Sequence, residues 1–85
     1  MECISYKNIL NKRSANIIDL QSKVDYNEWH FPGAVNMSYD YILENYRSLF
    51  DKRITYYFYC YSGKLSKRIV SILSSLGYNA IILVK

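Results

Sequence analysis

The chain has 85 residues, with 11 Lys+Arg against 7 Asp+Glu, a formal charge of +4 and 51% hydrophobic residues. That length holds a single small domain, residues 1–85, and the composition is that of a globular and not a disordered chain. No apolar run approaches the ~18–20 residues of a membrane span, no signal-peptide pattern opens the chain, and Cys3 and Cys60 alone make neither a disulfide framework nor a metal site. The expected setting is therefore a reducing cytoplasm, away from membranes. The charge is uneven: all seven acids lie in the first 51 residues, whereas six bases and no acid follow from Lys52 to Lys85.

In chain order, Ile4, Tyr6, Ile9 and Leu10 predict a short first helix. Residues 16–20 form a β-branched apolar run that predicts a buried strand. Residues 24–29 read as one or two helical turns ending before Pro32-Gly33, a turn signal. Residues 34–37 predict a second short strand. Ser38 or Asp40 then caps a helix carrying Tyr41, Ile42, Leu43, Tyr46 and Leu49. Residues 54–59, six β-branched or aromatic side chains in a row, are the strongest strand and run straight into Cys60. Leu65, Ile69, Ile72, Leu73 and Leu76 predict one apolar stripe on a helix over about 65–76, with Gly77 at its C-terminal cap. Residues 80–84 predict a last buried strand. Strand–helix–strand repetition implies a small three-layer α/β/α domain around a central, mostly parallel sheet of four to five strands.

In such sheets ligands bind beyond the carboxyl ends of the strands, which is where Cys60 falls. The loop after it, Tyr61-Ser62-Gly63-Lys64, can turn backbone N–H groups inward as an anion-binding nest, and the following helix adds its positive N-terminus. Lys64, Lys67 and Arg68 add formal charge nearby. Each effect favours the thiolate, the nucleophilic form of cysteine. A buried, inert cysteine in an ordinary strand-to-helix turn is the alternative on spacing alone. Cys3 has no such loop after it.

Several segments, in order, resemble the rhodanese-like domains, a family of single-domain sulfurtransferases. They are Ile17-Ile18-Asp19-Leu20 followed by Asp25-Tyr26, then His30-Phe31-Pro32-Gly33-Ala34-Val35-Asn36. The third is Cys60-Tyr61-Ser62-Gly63-Lys64-Leu65-Ser66, with glycine three and serine six residues after the cysteine, and Leu76-Gly77-Tyr78 ends the helix that follows. The likeness spans residues 4–84. It implies a Cys60 persulfide that takes sulfur from thiosulfate or a persulfide donor and passes it to cyanide, a thiol or a protein. Tyr61, Ser62, Gly63, Lys64, Leu65, Ser66 and Lys67 would form the donor-binding loop, with no metal or organic cofactor. It also implies a structural His30 beside a turn. Asp19 is expected to serve a turn or cap, and Tyr61 to line the pocket entrance.

The chain departs from the family pattern at four places. Gln21 and Leu65 stand where arginines are usual, and Trp29 stands where a small glycine is common. The sequence stops at Lys85 without the usual Gly-Gly turn and last helix, so the domain is either minimal or truncated. Two other functions remain. A cysteine-dependent phosphatase or arsenate reductase would need an arginine six residues after the cysteine, where Ser66 stands. A non-catalytic rhodanese-like binding or regulatory module would fit the loss of the loop arginine. Nucleic-acid binding lacks support, because the aromatics sit in apolar strands and not on exposed stacking surfaces.

Overall fold

The computed structural model describes residues 2–12 and 15–85. In chain order it contains β1 (Cys3–Ser5), a 3-10 helix (Tyr6–Ile9), β2 (Asn16–Asp19), α1 (Lys23–Glu28) and β3 (Val35–Asn36). α2 (Tyr39–Leu49), β4 (Thr55–Tyr59), α3 (Lys64–Ser75) and β5 (Asn79–Val84) follow. The five strands form one sheet in the order β1-β5-β4-β2-β3, and every neighbouring pair is parallel. The expected first helix is thus corrected. Ile4 pairs with Leu83 in a strand, and only Tyr6 and Ile9 belong to the 3-10 turn.

The sheet separates two apolar cores. On one face α2 and α3 cover Ile18, Tyr56, Phe58 and Ile82, packing Ile42, Ile69, Val70 and Leu73 against them. On the other face Ile9 of the 3-10 helix and Phe31 and Ala34 of the turn after α1 cover Ile17, Tyr57, Tyr59 and Leu83. Successive residues of a strand point to opposite faces, so β4 feeds both cores: Tyr56 and Phe58 one, Tyr57 and Tyr59 the other. This explains its run of four aromatic residues after Thr55, as expected for a central strand of a parallel sheet.

Helix ends follow their local chemistry. Ser38 accepts a hydrogen bond from Tyr41 N–H at 3.1 Å and starts α2. After α3, Tyr78 N–H donates to Leu73 O and Gly77 N–H to Ser74 O, with Gly77 at φ +94°, a left-handed cap that glycine adopts without strain. The stripe on α3 is rotated from the expected one. Ser66, Ile69, Val70 and Leu73 are buried, Ile72 is half-buried and Leu76, just past the helix, is exposed. The spacing i, i+3, i+4, i+7 faces the sheet, and Ser66 is drawn inward by its bonds to Cys60. Ahead of β4, the Arg53 guanidinium lies 2.7 Å from Asp51 and holds that carboxyl down at about 2.

Candidate active site

Cys60 follows the last residue of β4, and Lys64 opens α3, so residues 60–63 make the whole connection. Gly63 caps the helix at φ +81°, ψ −7°. Nothing lies within 4 Å of where its Cβ would be, so the requirement for glycine is conformational and not steric. This left-handed turn swings the start of α3 over the sulfur. Ser66 N–H donates to Cys60 Sγ at 3.3 Å, and the thiol lies 3.5 Å from Ser66 Oγ. Ser66 Oγ in turn donates to Gly63 O at 3.1 Å, and Lys64 N–H is held by Ser62 Oγ at 3.3 Å.

That arrangement has a chemical consequence. As a thiol, Cys60 donates its proton to Ser66 Oγ. As a thiolate it can only accept, and the Ser66 hydroxyl can turn from Gly63 O to the sulfur. Backbone and side chain of one residue then both donate to the same anion. Cys60 itself is 7% exposed and opens on a shallow cavity of about 190 Å³ lined by Tyr59, Cys60, Tyr61, Ser62, Gly63, Val84 and Lys85.

The expected binding residues therefore divide. Tyr61, Ser62 and Gly63 line the cavity, and Tyr61 is 82% exposed at its mouth. Ser66 lies behind the sulfur, buried, and Leu65 packs against the core. Lys64 and Lys67 are exposed on the first turns of α3 and are not among the lining residues. Lys85 is a lining residue, and its Nζ sits 4.3 Å from the centroid of the Trp29 ring. Trp29 meets Phe31 and Tyr59 edge-on, at 4.8 and 5.9 Å between centroids. An adjoining pocket of about 280 Å³ shares Tyr59, Tyr61 and Lys85 and adds Gln21, Asp25, Glu28 and Trp29. Sequence reasoning flagged Trp29 only as a departure and missed Lys85, because no local pattern links two residues 56 positions apart (85 minus 29).

The remaining candidates make local contacts away from the sulfur. His30 Nδ1 lies 2.7 Å from Tyr26 O, and its ring stacks on Tyr26 with centroids 3.8 Å apart, so its contacts are within α1 and the turn. Asp19 is fully buried and accepts from Gln21 N–H at 2.7 Å and Gln21 Nε2 at 2.9 Å, closing the turn after β2. Gln21 Nε2 also donates to Trp29 O, so this neutral side chain ties the turn to the base of Trp29. Asp25 makes no ion pair among the described residues. Burial, then the charges of Asp19 and Cys60, push the Tyr59 hydroxyl up, which keeps it protonated beside the cavity.

No helix among the described residues is long and apolar enough to cross a membrane. Over 69 residues the sequence is 44% identical to a tRNA sulfurtransferase of Pyrobaculum aerophilum, a match covering 78% of this chain and 13% of that protein. The chain thus corresponds to a small part of that relative's length. A rhodanese-like domain protein from Staphylococcus aureus superposes with a TM-score of 0.82 at 28% identity, over 95% of this chain and 82% of that one. The human single-domain sulfurtransferase shares the fold at a TM-score of 0.75 and 19% identity, over 98% of this chain and 88% of that one. The family model for the rhodanese-like domain matches residues 4–85. With that match over nearly its whole length, the chain belongs to the rhodanese-like domain family.

Proposed function

We propose that the chain is a sulfurtransferase that carries sulfane sulfur on Cys60. The observation that carries this reading is the pair of groups Ser66 presents to a buried sulfur, N–H at 3.3 Å and hydroxyl at 3.5 Å, beside an open cavity. The family membership and the sulfurtransferase relative support the same class of reaction. The donor is thiosulfate or a persulfide. The Cys60 thiolate attacks the outer sulfur of thiosulfate, a new S–S bond forms, and the bond to the sulfonate breaks with its electron pair leaving as sulfite. In the second half, an acceptor thiolate or cyanide attacks the terminal sulfur of the Cys60 persulfide, and Cys60 leaves as thiolate. Electrons balance in each half, and no metal or organic cofactor enters. The cycle needs a reduced thiol at its start, which fits a reducing compartment such as the cytoplasm.

Incubation with thiosulfate followed by intact mass measurement tests the reading. A gain of about 32 Da, one sulfur, is expected in the wild type and its loss in Cys60→Ser. The absence of an adduct with both thiosulfate and a persulfide donor, or its persistence in Cys60→Ser, overturns it. The loop also carries Leu65 and no arginine, which favours a binding module as the second reading. That module would show no sulfur adduct from either thiosulfate or a persulfide donor.

A further inference from the structure

We propose that the pocket adjoining the Cys60 cavity is the subsite for the sulfur acceptor and takes the ammonium group of a cationic thiol. The acceptor role rests on the sulfur-transfer reading; the cation site rests on geometry. This pocket is the larger of the two, about 280 against 190 Å³, and Tyr59 and Tyr61 line both. A small molecule seated in one is therefore next to the other.

The pocket has the chemistry of an ammonium site. Trp29 and Tyr61, 43% and 82% exposed, offer it aromatic surface, and Trp29 is braced edge-on by Phe31 and Tyr59. It carries two carboxylates, Asp25 and Glu28, and neither makes an ion pair among the described residues. Gln21, also in its wall, is uncharged and uses its amide on Asp19 and on Trp29 O, so it does not neutralise them. Tyr59 is 3% exposed, and its hydroxyl makes no hydrogen bond among the described residues, which leaves it for a ligand. Above all, the pocket already holds an ammonium: Lys85 Nζ lies 4.3 Å from the Trp29 centroid. That is the group an aromatic face attracts. The Lys85 side chain is exposed and without an ion pair among the described residues, so a ligand ammonium can displace it. An anionic thiol is disfavoured by the same two carboxylates. In the transfer step the thiolate of the bound acceptor attacks the terminal sulfur of the Cys60 persulfide. A new S–S bond forms, and the old one breaks with its electron pair leaving on Cys60 as thiolate.

Two measurements in a Cys3→Ser background test this. The first titrates the fluorescence of Trp29, the one tryptophan of the chain, with choline at constant ionic strength, and needs no sulfur chemistry. Asp25→Asn/Glu28→Gln weakens choline binding about three- to tenfold, and Lys85→Ala, which removes the competing ammonium, strengthens it. The second loads Cys60 with sulfur and follows its discharge by intact mass, comparing cysteamine with 2-mercaptoethanol at equal thiolate concentration. The preference for cysteamine falls about three- to tenfold in Asp25→Asn/Glu28→Gln, through a higher KM for cysteamine. Unchanged choline binding in the double variant, or no strengthening in Lys85→Ala, overturns the cation site. Choline binding that responds as expected with an unchanged cysteamine preference overturns the acceptor role. If Cys60 takes sulfur from neither thiosulfate nor a persulfide donor while choline binding responds as expected, the sulfur-transfer reading is overturned and the cation site stands.

Discussion

Ser66 meets Cys60 twice, through its amide and through its hydroxyl, and only the second can be removed by substitution. Gly63 O, which accepts from that hydroxyl, also accepts from Lys67 N–H at 3.1 Å, so Ser66→Ala leaves no carbonyl orphaned. The stability cost is accordingly small, about 0.5–1 kcal/mol in a urea melt. The chemical cost is larger, because the thiolate loses one of its two donors. Alkylation of Cys60 by iodoacetamide at neutral pH is expected to slow about three- to tenfold. Cys60, Gly63 and Ser66 were legible in the sequence because their relation is local, set by spacing within one loop. Lys85 as a lining residue was not, and Lys64 and Lys67 are exposed on α3 outside that lining. Proximity in sequence ranked the loop lysines first, but a helix start directs successive side chains around its axis. The residue that reaches the cavity comes from the end of a different strand.

At the level of the element, α3 begins and ends on glycines in the left-handed region, Gly63 at φ +81° and Gly77 at φ +94°. A Cβ at Gly63 would meet nothing within 4 Å, and one at Gly77 would sit 3.5 Å from Lys52 Nζ, an ordinary contact. Both substitutions to alanine therefore cost conformational energy alone, about 1–2 kcal/mol each. They part in their chemistry. Gly63→Ala shifts the start of the helix and with it the Ser66 amide, so Cys60 alkylation slows. Gly77→Ala, at the far end, destabilises the protein to a similar extent and leaves that rate close to wild type. Strands β2 and β4 and all three α-helices could be read from periodicity and capping residues. β1 could not, since three residues become a strand only when the open edge of β5 accepts them. The rotation of the α3 stripe was equally hidden, because a buried serine is explained by its partner and not by its own hydrophobicity.

Across the whole molecule, stability depends on two cores that share strands β2, β4 and β5. Phe58 is fully inaccessible and stands in the core under α2 and α3, where it meets Phe50 edge-on at 5.7 Å. Phe58→Ala is expected to cost about 3–5 kcal/mol. A domain of this size holds roughly 4–13 kcal/mol in total, so a far-UV melt should find the variant near or beyond its unfolding midpoint at 37 °C. Phe58→Leu, which keeps most of the volume, is expected to lose much less and to melt cooperatively. The three-layer parallel arrangement was readable from alternating strands and helices, but the strand order was not. That order has a consequence for a chain emerging from a ribosome. β5, the latest strand to be synthesised of the five, takes an interior place, and β1, the earliest, has no neighbour except β5. The slot between β1 and β4 therefore stays empty until residues 79–84 leave the exit tunnel, and Val84 and Lys85 reach the cavity beside Cys60 only then. Synthesis order thus delays the closing of the sheet around the cysteine until its inner strand arrives.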